Sequence, residues 1–73
     1  VRLQTVTTIS DVEVLDSERV RVMIYDHGQQ RCSSHAARFA AAVYERRPDA
    51  LVPAGYREAE SRDALVAWAE QSF

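Results

Sequence analysis

The chain contains no Lys and no Asn, one Cys, two Gly and two Pro. A single Cys excludes an internal disulfide, so no covalent framework compensates for a small core. It also fits a reducing compartment, and a cytoplasmic setting is expected. No basic segment followed by an apolar run is visible at the start, so no signal peptide is expected. No apolar run approaches the roughly 18 residues that span a bilayer. The first residue is Val1, which reads as a processed or excised piece. All nine basic residues are Arg. With the abundance of Ala, this suggests a GC-rich, bacterial coding sequence. No repeat, low-complexity tract or linker divides the chain, so residues 1–73 read as one domain.

A chain of 73 residues buries only about 60% of its unfolded surface, which makes stability marginal and a partner useful. The net charge of −2 gives no global attraction to nucleic acid. Its distribution is uneven. Residues 31–62 hold six Arg against four acids and residues 1–30 hold three against five.

The β-branched opening predicts a strand from Arg2 to Ile9. "DVEVL" and "RVRVMIY" alternate and predict a hairpin around Asp16–Glu18. The expected register places Val14 opposite Val20, Val12 opposite Val22 and Ser10 opposite Ile24 on an apolar face. Glu13 with Arg21 and Leu15 with Arg19 occupy the other. His27-Gly28 turns the chain, and Ser33 or Ser34 caps a helix running to Arg46. Its apolar stripe is Ala36, Phe39, Ala40 and Val43, and Pro48 ends it. Ala50–Val52 reads as a short edge strand or one helical turn, and Pro53 and Gly55 as loop. A last helix starts near Glu58 or Ser61 and runs to Ser72.

The predicted fold is α+β: a small antiparallel sheet, a hairpin plus an N-terminal strand, packed against two helices in the order β-β-β-α-α. Its expected core is Val12, Val14, Val20, Val22, Ile24, Phe39, Val43, Leu65 and Trp68.

The segment "YDHGQQRCSSHAARF" gathers the reactive residues. Cys32 and Arg38 have the Cys-x5-Arg spacing of cysteine phosphatases, but residues 33–37 lack the Gly that close approach to phosphate requires. Cys32 with His35 suggests a thiol nucleophile, without an orienting third residue. His27, Cys32 and His35, with Asp26, supply zinc-type donors without a paired spacing. A structural reading explains more: Cys32 falls in line with Ala36, Phe39 and Val43 as a small buried hydrophobe. No catalytic residue, metal ligand or cofactor is therefore assigned.

The expected function is a small non-enzymatic protein–protein interaction domain, a regulator, inhibitor, adaptor or subunit that binds another protein or a second copy of itself. The expected binding residues are Arg19, Arg21, Met23 and Tyr25 on the sheet, with His35, Arg38 and Arg46 on the first helix. The alternative is a nucleic-acid-binding or transcription-regulatory module that uses the Arg-rich middle. A small thiol- or zinc-dependent enzyme comes third. No membrane partner is expected.

Overall fold

A computed structural model of the chain describes residues 1–28 and 37–73. The elements are β1 (Gln4–Ile9), β2 (Val12–Asp16), β3 (Val20–Asp26), β4 (Phe39–Arg47), β5 (Ala50–Ala59) and α1 (Arg62–Ser72). The strands form one antiparallel sheet in sequence order, β1-β2-β3-β4-β5. Among the described residues, one helix, α1, covers one face. The architecture is thus a five-stranded sheet with a C-terminal helix, and the predicted order β-β-β-α-α is overturned.

The correction centres on residues 39–47. "FAAAVYERR" was predicted to complete a helix but forms β4, in the interior of the sheet. Ala favours helix intrinsically, yet that preference is weak and tertiary context overrides it. The stripe that fits helical spacing also contains the strand alternation Phe39, Ala41, Val43. An apolar run flanked by strands on both sides reads equally well as an interior strand. Pro48 and Asp49 form a tight turn, with Arg47 opposite Ala50. Pro48 fixes φ near −65° there, so it turns a hairpin instead of ending a helix. Pro53 and Gly55, expected in a loop, lie in β5. Pro53 is tolerated because β5 is an edge strand, and a register shift leaves Ala54 as an extra residue.

The β2–β3 register also differs. Val12 lies opposite Tyr25, Val14 opposite Met23 and Asp16 opposite Arg21. The Ser17 hydroxyl accepts hydrogen bonds from the Arg19 and Val20 N–H groups, and the Ser17 N–H donates to Val20 O. The tip is therefore Glu18-Arg19, not Asp16–Glu18. The displacement is odd-numbered, so it moves β2 side chains to the opposite face from that expected. Leu15 enters the core cluster and Val12 leaves it, while Val14 is buried as expected but on the opposite face.

The core is Leu15, Val20, Val22, Ile24, Ala41 and Val43 from the sheet, with Leu65 and Ala69 from α1. Phe39 and Trp68, expected within it, pack at its margin. The helix begins at Ser61, whose side chain accepts from the Ala64 N–H as an N-cap. The N-terminal segment crosses toward α1. The Val1 amino group donates to Glu70 O at 2.9 Å, and the Leu3 N–H donates to Glu70 Oε2 at 2.9 Å.

Gly55 leaves room for the side chains of Trp68 and Phe73. A Cβ there would stand 3.0 Å from Phe73 Cζ and 3.6 Å from Trp68 Cη2. Trp68 and Phe73 meet edge to face at 5.9 Å, with Arg57 over the Trp68 ring. Gly55→Val is expected to displace this aromatic pair and destabilise the fold by about 1–3 kcal/mol, as overpacking does. Thermal unfolding and emission of the single Trp check it. An unshifted spectrum with unchanged Tm would contradict the packing.

Candidate functional site

The face opposite α1 is assembled by the alternation of all five strands. Its side chains form rows across the sheet. One row runs Gln4, Asp16, Arg21, Tyr44, Pro53. The next runs Thr7, Val14, Met23, Ala42, Tyr56. The third runs Ile9, Val12, Tyr25, Ala40, Glu58. Arg46 and Leu51 extend the same face beyond Tyr44 and Pro53. Among the described residues, no element packs on this surface. Ile9 is 67% exposed, Tyr56 60% and Leu51 43%. Met23, Tyr25 and Tyr44 are half-buried. The Tyr25 hydroxyl lies 3.6 Å from Met23 Sδ.

The charged end is built around Asp16. Arg21 binds it through two parallel hydrogen bonds, 2.8 and 3.0 Å long. Arg46 reaches it from β4 at 2.7 Å. Hydrogen bonding by Arg21 holds the Asp16 carboxyl below the usual carboxylate range, against a smaller opposing effect of burial. The carboxylate thus fixes two guanidiniums in place at one edge of an apolar surface. At the other end, Glu58 with desolvation pushes the Tyr56 hydroxyl up, desolvation being the larger cause. That hydroxyl stays protonated and can donate a hydrogen bond.

Four of the predicted binding residues, Arg21, Met23, Tyr25 and Arg46, come together on this face. Arg46 does so from a strand, not from the predicted helix. Arg19 does not join them: it sits at the hairpin tip and donates to Phe73 O at 2.7 Å. Arg38 also lies apart, paired with Asp26 at 3.2 Å and stacked over Phe39. It precedes β4 and belongs to no helix. His35 and Cys32 lie outside the described residues, as do Ser33 and Ser34. The zinc and thiol readings fall with them outside what is described. His27 and Gly28 turn the chain as expected, Gly28 with φ 62°. No group of three or more metal-ligating side chains occurs among the described residues.

Sequence reasoning missed Val12, Val14, Ala40, Ala42, Tyr44 and Tyr56 as members of the surface. The signal was present as the period-two set Ala40, Ala42, Tyr44, Arg46, which continues the alternation of Arg21, Met23, Tyr25.

Neither edge of the sheet offers a regular template for strand addition. β1 has a register shift between Thr5 and Thr7 that leaves Val6 unpaired and 58% exposed. β5 has its own shift beside Pro53. Bulges and Pro are the devices by which edge strands resist pairing.

No family model, curated protein or solved structure matches the chain. No helix among the described residues is long and apolar enough to cross a membrane.

Proposed function

We propose that the chain is a small, non-enzymatic protein-docking module that binds a protein partner through the sheet face opposite α1. The observation that supports this is the surface itself: Tyr, Met and aliphatic side chains on a rigid sheet, flanked by Arg held in fixed orientation. Aromatic residues, Met and Arg are enriched at protein interfaces. The irregular edges favour docking onto the face over strand addition. A regulator, adaptor or subunit role and a cytoplasmic setting belong to the same proposal.

The nucleic-acid alternative relied on the Arg-rich middle. Four of those six side chains pair with carboxylates within the fold: Arg38 with Asp26, Arg46 with Asp16, Arg47 with Glu45, and Arg62 with Glu13 and Asp63. Phosphate binding would have to compete with these pairs, and the net charge of −2 adds no compensation.

The test is affinity capture from the native host with wild type, Tyr25→Ala and Tyr56→Ala in parallel. A defined protein retained by wild type should lose about tenfold or more in affinity with the variants, the usual loss when an interface aromatic is truncated. Circular dichroism should show all three folded. Equal retention by all three would remove this face as the docking site. Strong, salt-sensitive binding of a single-stranded oligonucleotide would favour the alternative instead.

A further inference from the structure

We propose that Met23 is a site of reversible oxidation by peroxides, and that its sulfoxide, held by the Tyr25 hydroxyl, turns off the docking face. The effect on docking rests on the docking reading above; the oxidation site does not.

Position is the first argument. Met23 is the single Met of the chain. It stands on the central strand of the five and in the middle row of the face, with Val14 on one side and Ala42 on the other. It is half-buried, and among the described residues no element packs over it. A small oxidant therefore reaches the thioether from solvent. Met23 is also outside the core cluster, which lies on the other face of the sheet. A polar oxygen added here changes the surface and leaves the core packing in place.

Tyr25 supplies the second argument. Its hydroxyl donates to Met23 Sδ at 3.6 Å. A thioether sulfur is a weak acceptor. The oxygen of a sulfoxide is a stronger one, and here a donor already stands beside the sulfur that would carry it. The hydroxyl that contacts the reduced side chain can thus hold the oxidised one. Oxidation changes two neighbouring contact residues together, Met23 in polarity and Tyr25 in the use of its hydroxyl. Met suits a binding surface because it is apolar and adaptable. Its sulfoxide is polar, and covering it with an apolar partner costs desolvation.

The step is a two-electron oxygen transfer. The sulfur lone pair attacks one oxygen of hydrogen peroxide, the O–O bond breaks and an S–O bond forms. The departing oxygen takes the proton left on the transferred oxygen and leaves as water. Sulfur is oxidised and the peroxide is reduced. A thiol-dependent sulfoxide reductase reverses the change, two thiols becoming a disulfide and the oxygen leaving as water.

Hydrogen peroxide treatment followed by peptide mass spectrometry tests the site. One oxygen should appear on Met23, and circular dichroism should show the product folded. Oxidation should lower the Tm of Tyr25→Phe by about 4 °C more than that of wild type, the effect of one net hydrogen bond in a domain of this size. Affinity for the protein captured by untreated wild type should fall about tenfold or more on oxidation. Met23→Gln should reproduce that fall without peroxide, sulfoxide reductase should restore the treated wild type, and treated Met23→Leu should keep its affinity. The proposal is overturned by a Met23 that stays unmodified where free methionine is fully oxidised, or by an oxidised product that unfolds. Equal Tm losses in wild type and Tyr25→Phe overturn it too, as does equal capture by treated wild type and treated Met23→Leu. An untreated wild type that captures no protein overturns the docking reading and the switch with it, and the mass and melting results then decide the oxidation site alone.

Discussion

Leu65→Ala is expected to remove about 3–5 kcal/mol of stability, the loss seen when a fully buried Leu is truncated and its site cannot collapse. Leu65 is fully buried and is the largest side chain that α1 inserts among the core residues of the sheet. Total stability at 0.05–0.15 kcal/mol per residue is roughly 4–11 kcal/mol for this chain. The single substitution therefore removes roughly a quarter or more of the total stability. Urea titration followed by Trp68 emission and by far-ultraviolet dichroism measures it. Leu51→Ala, at an exposed position of the same residue type, is the control and should stay within about 0.5 kcal/mol of wild type. A loss under about 1 kcal/mol for Leu65→Ala would mean that the helix does not anchor the sheet.

The second large effect is expected at Asp16. Asp16→Ala removes the partner of both Arg21 and Arg46 and should cost about 2 kcal/mol, in the range for hydrogen bonds to charged groups. The pH dependence follows from the same contacts. The folded Asp16 carboxyl lies below its unfolded value, so its contribution is fully present above the unfolded value, near 4. It is lost as pH falls through the folded value. Glu13 behaves alike, lowered chiefly by its hydrogen bonds from Arg62 and also by Thr5. The Tm of wild type should therefore fall as pH drops below about 4. Asp16→Asn should flatten that fall, and Asp16→Asn with Glu13→Gln should flatten it further. Thermal melts at a series of pH values decide this. An Asp16→Asn melt with the full wild-type slope would show that the carboxylate is not paired in solution.

Much of the first half of the fold was legible because its chemistry is unambiguous. Val and Thr mark β1, and alternation marks β2 and β3. Ser61 marks the start of α1, and Val20, Val22, Ile24, Val43 and Leu65 are buried as expected. The failures have two physical origins. Residues 39–47 carry small apolar side chains that satisfy helical and strand periodicities together, and only the neighbouring β3 and β5 decide between them. The hairpin tip is closed by the Ser17 hydroxyl, a local interaction with no Gly or Asn to signal it. Its consequence was disproportionate, since one odd displacement brought Leu15 into the core cluster, took Val12 out of it and moved the still-buried Val14 to the other face. The site was half legible for the same reason. Arg21, Met23 and Tyr25 alternate on one strand and could be placed together. Tyr44 and Tyr56 belong to strands whose existence depended on tertiary pairing.

The bond from the Val1 amino group to Glu70 O has a topological consequence. It places the first residue beside the last turn of α1, so the described chain nearly closes on itself. Every strand pairs only with its neighbours in sequence, and this contact and the Leu3–Glu70 bond span almost the full length. A short Gly/Ser bridge between the ends, with a new opening at Pro48-Asp49, would preserve every strand pairing and the helix packing. Adjacent termini also allow such a unit to be carried within a loop of another protein, entering and leaving from one side.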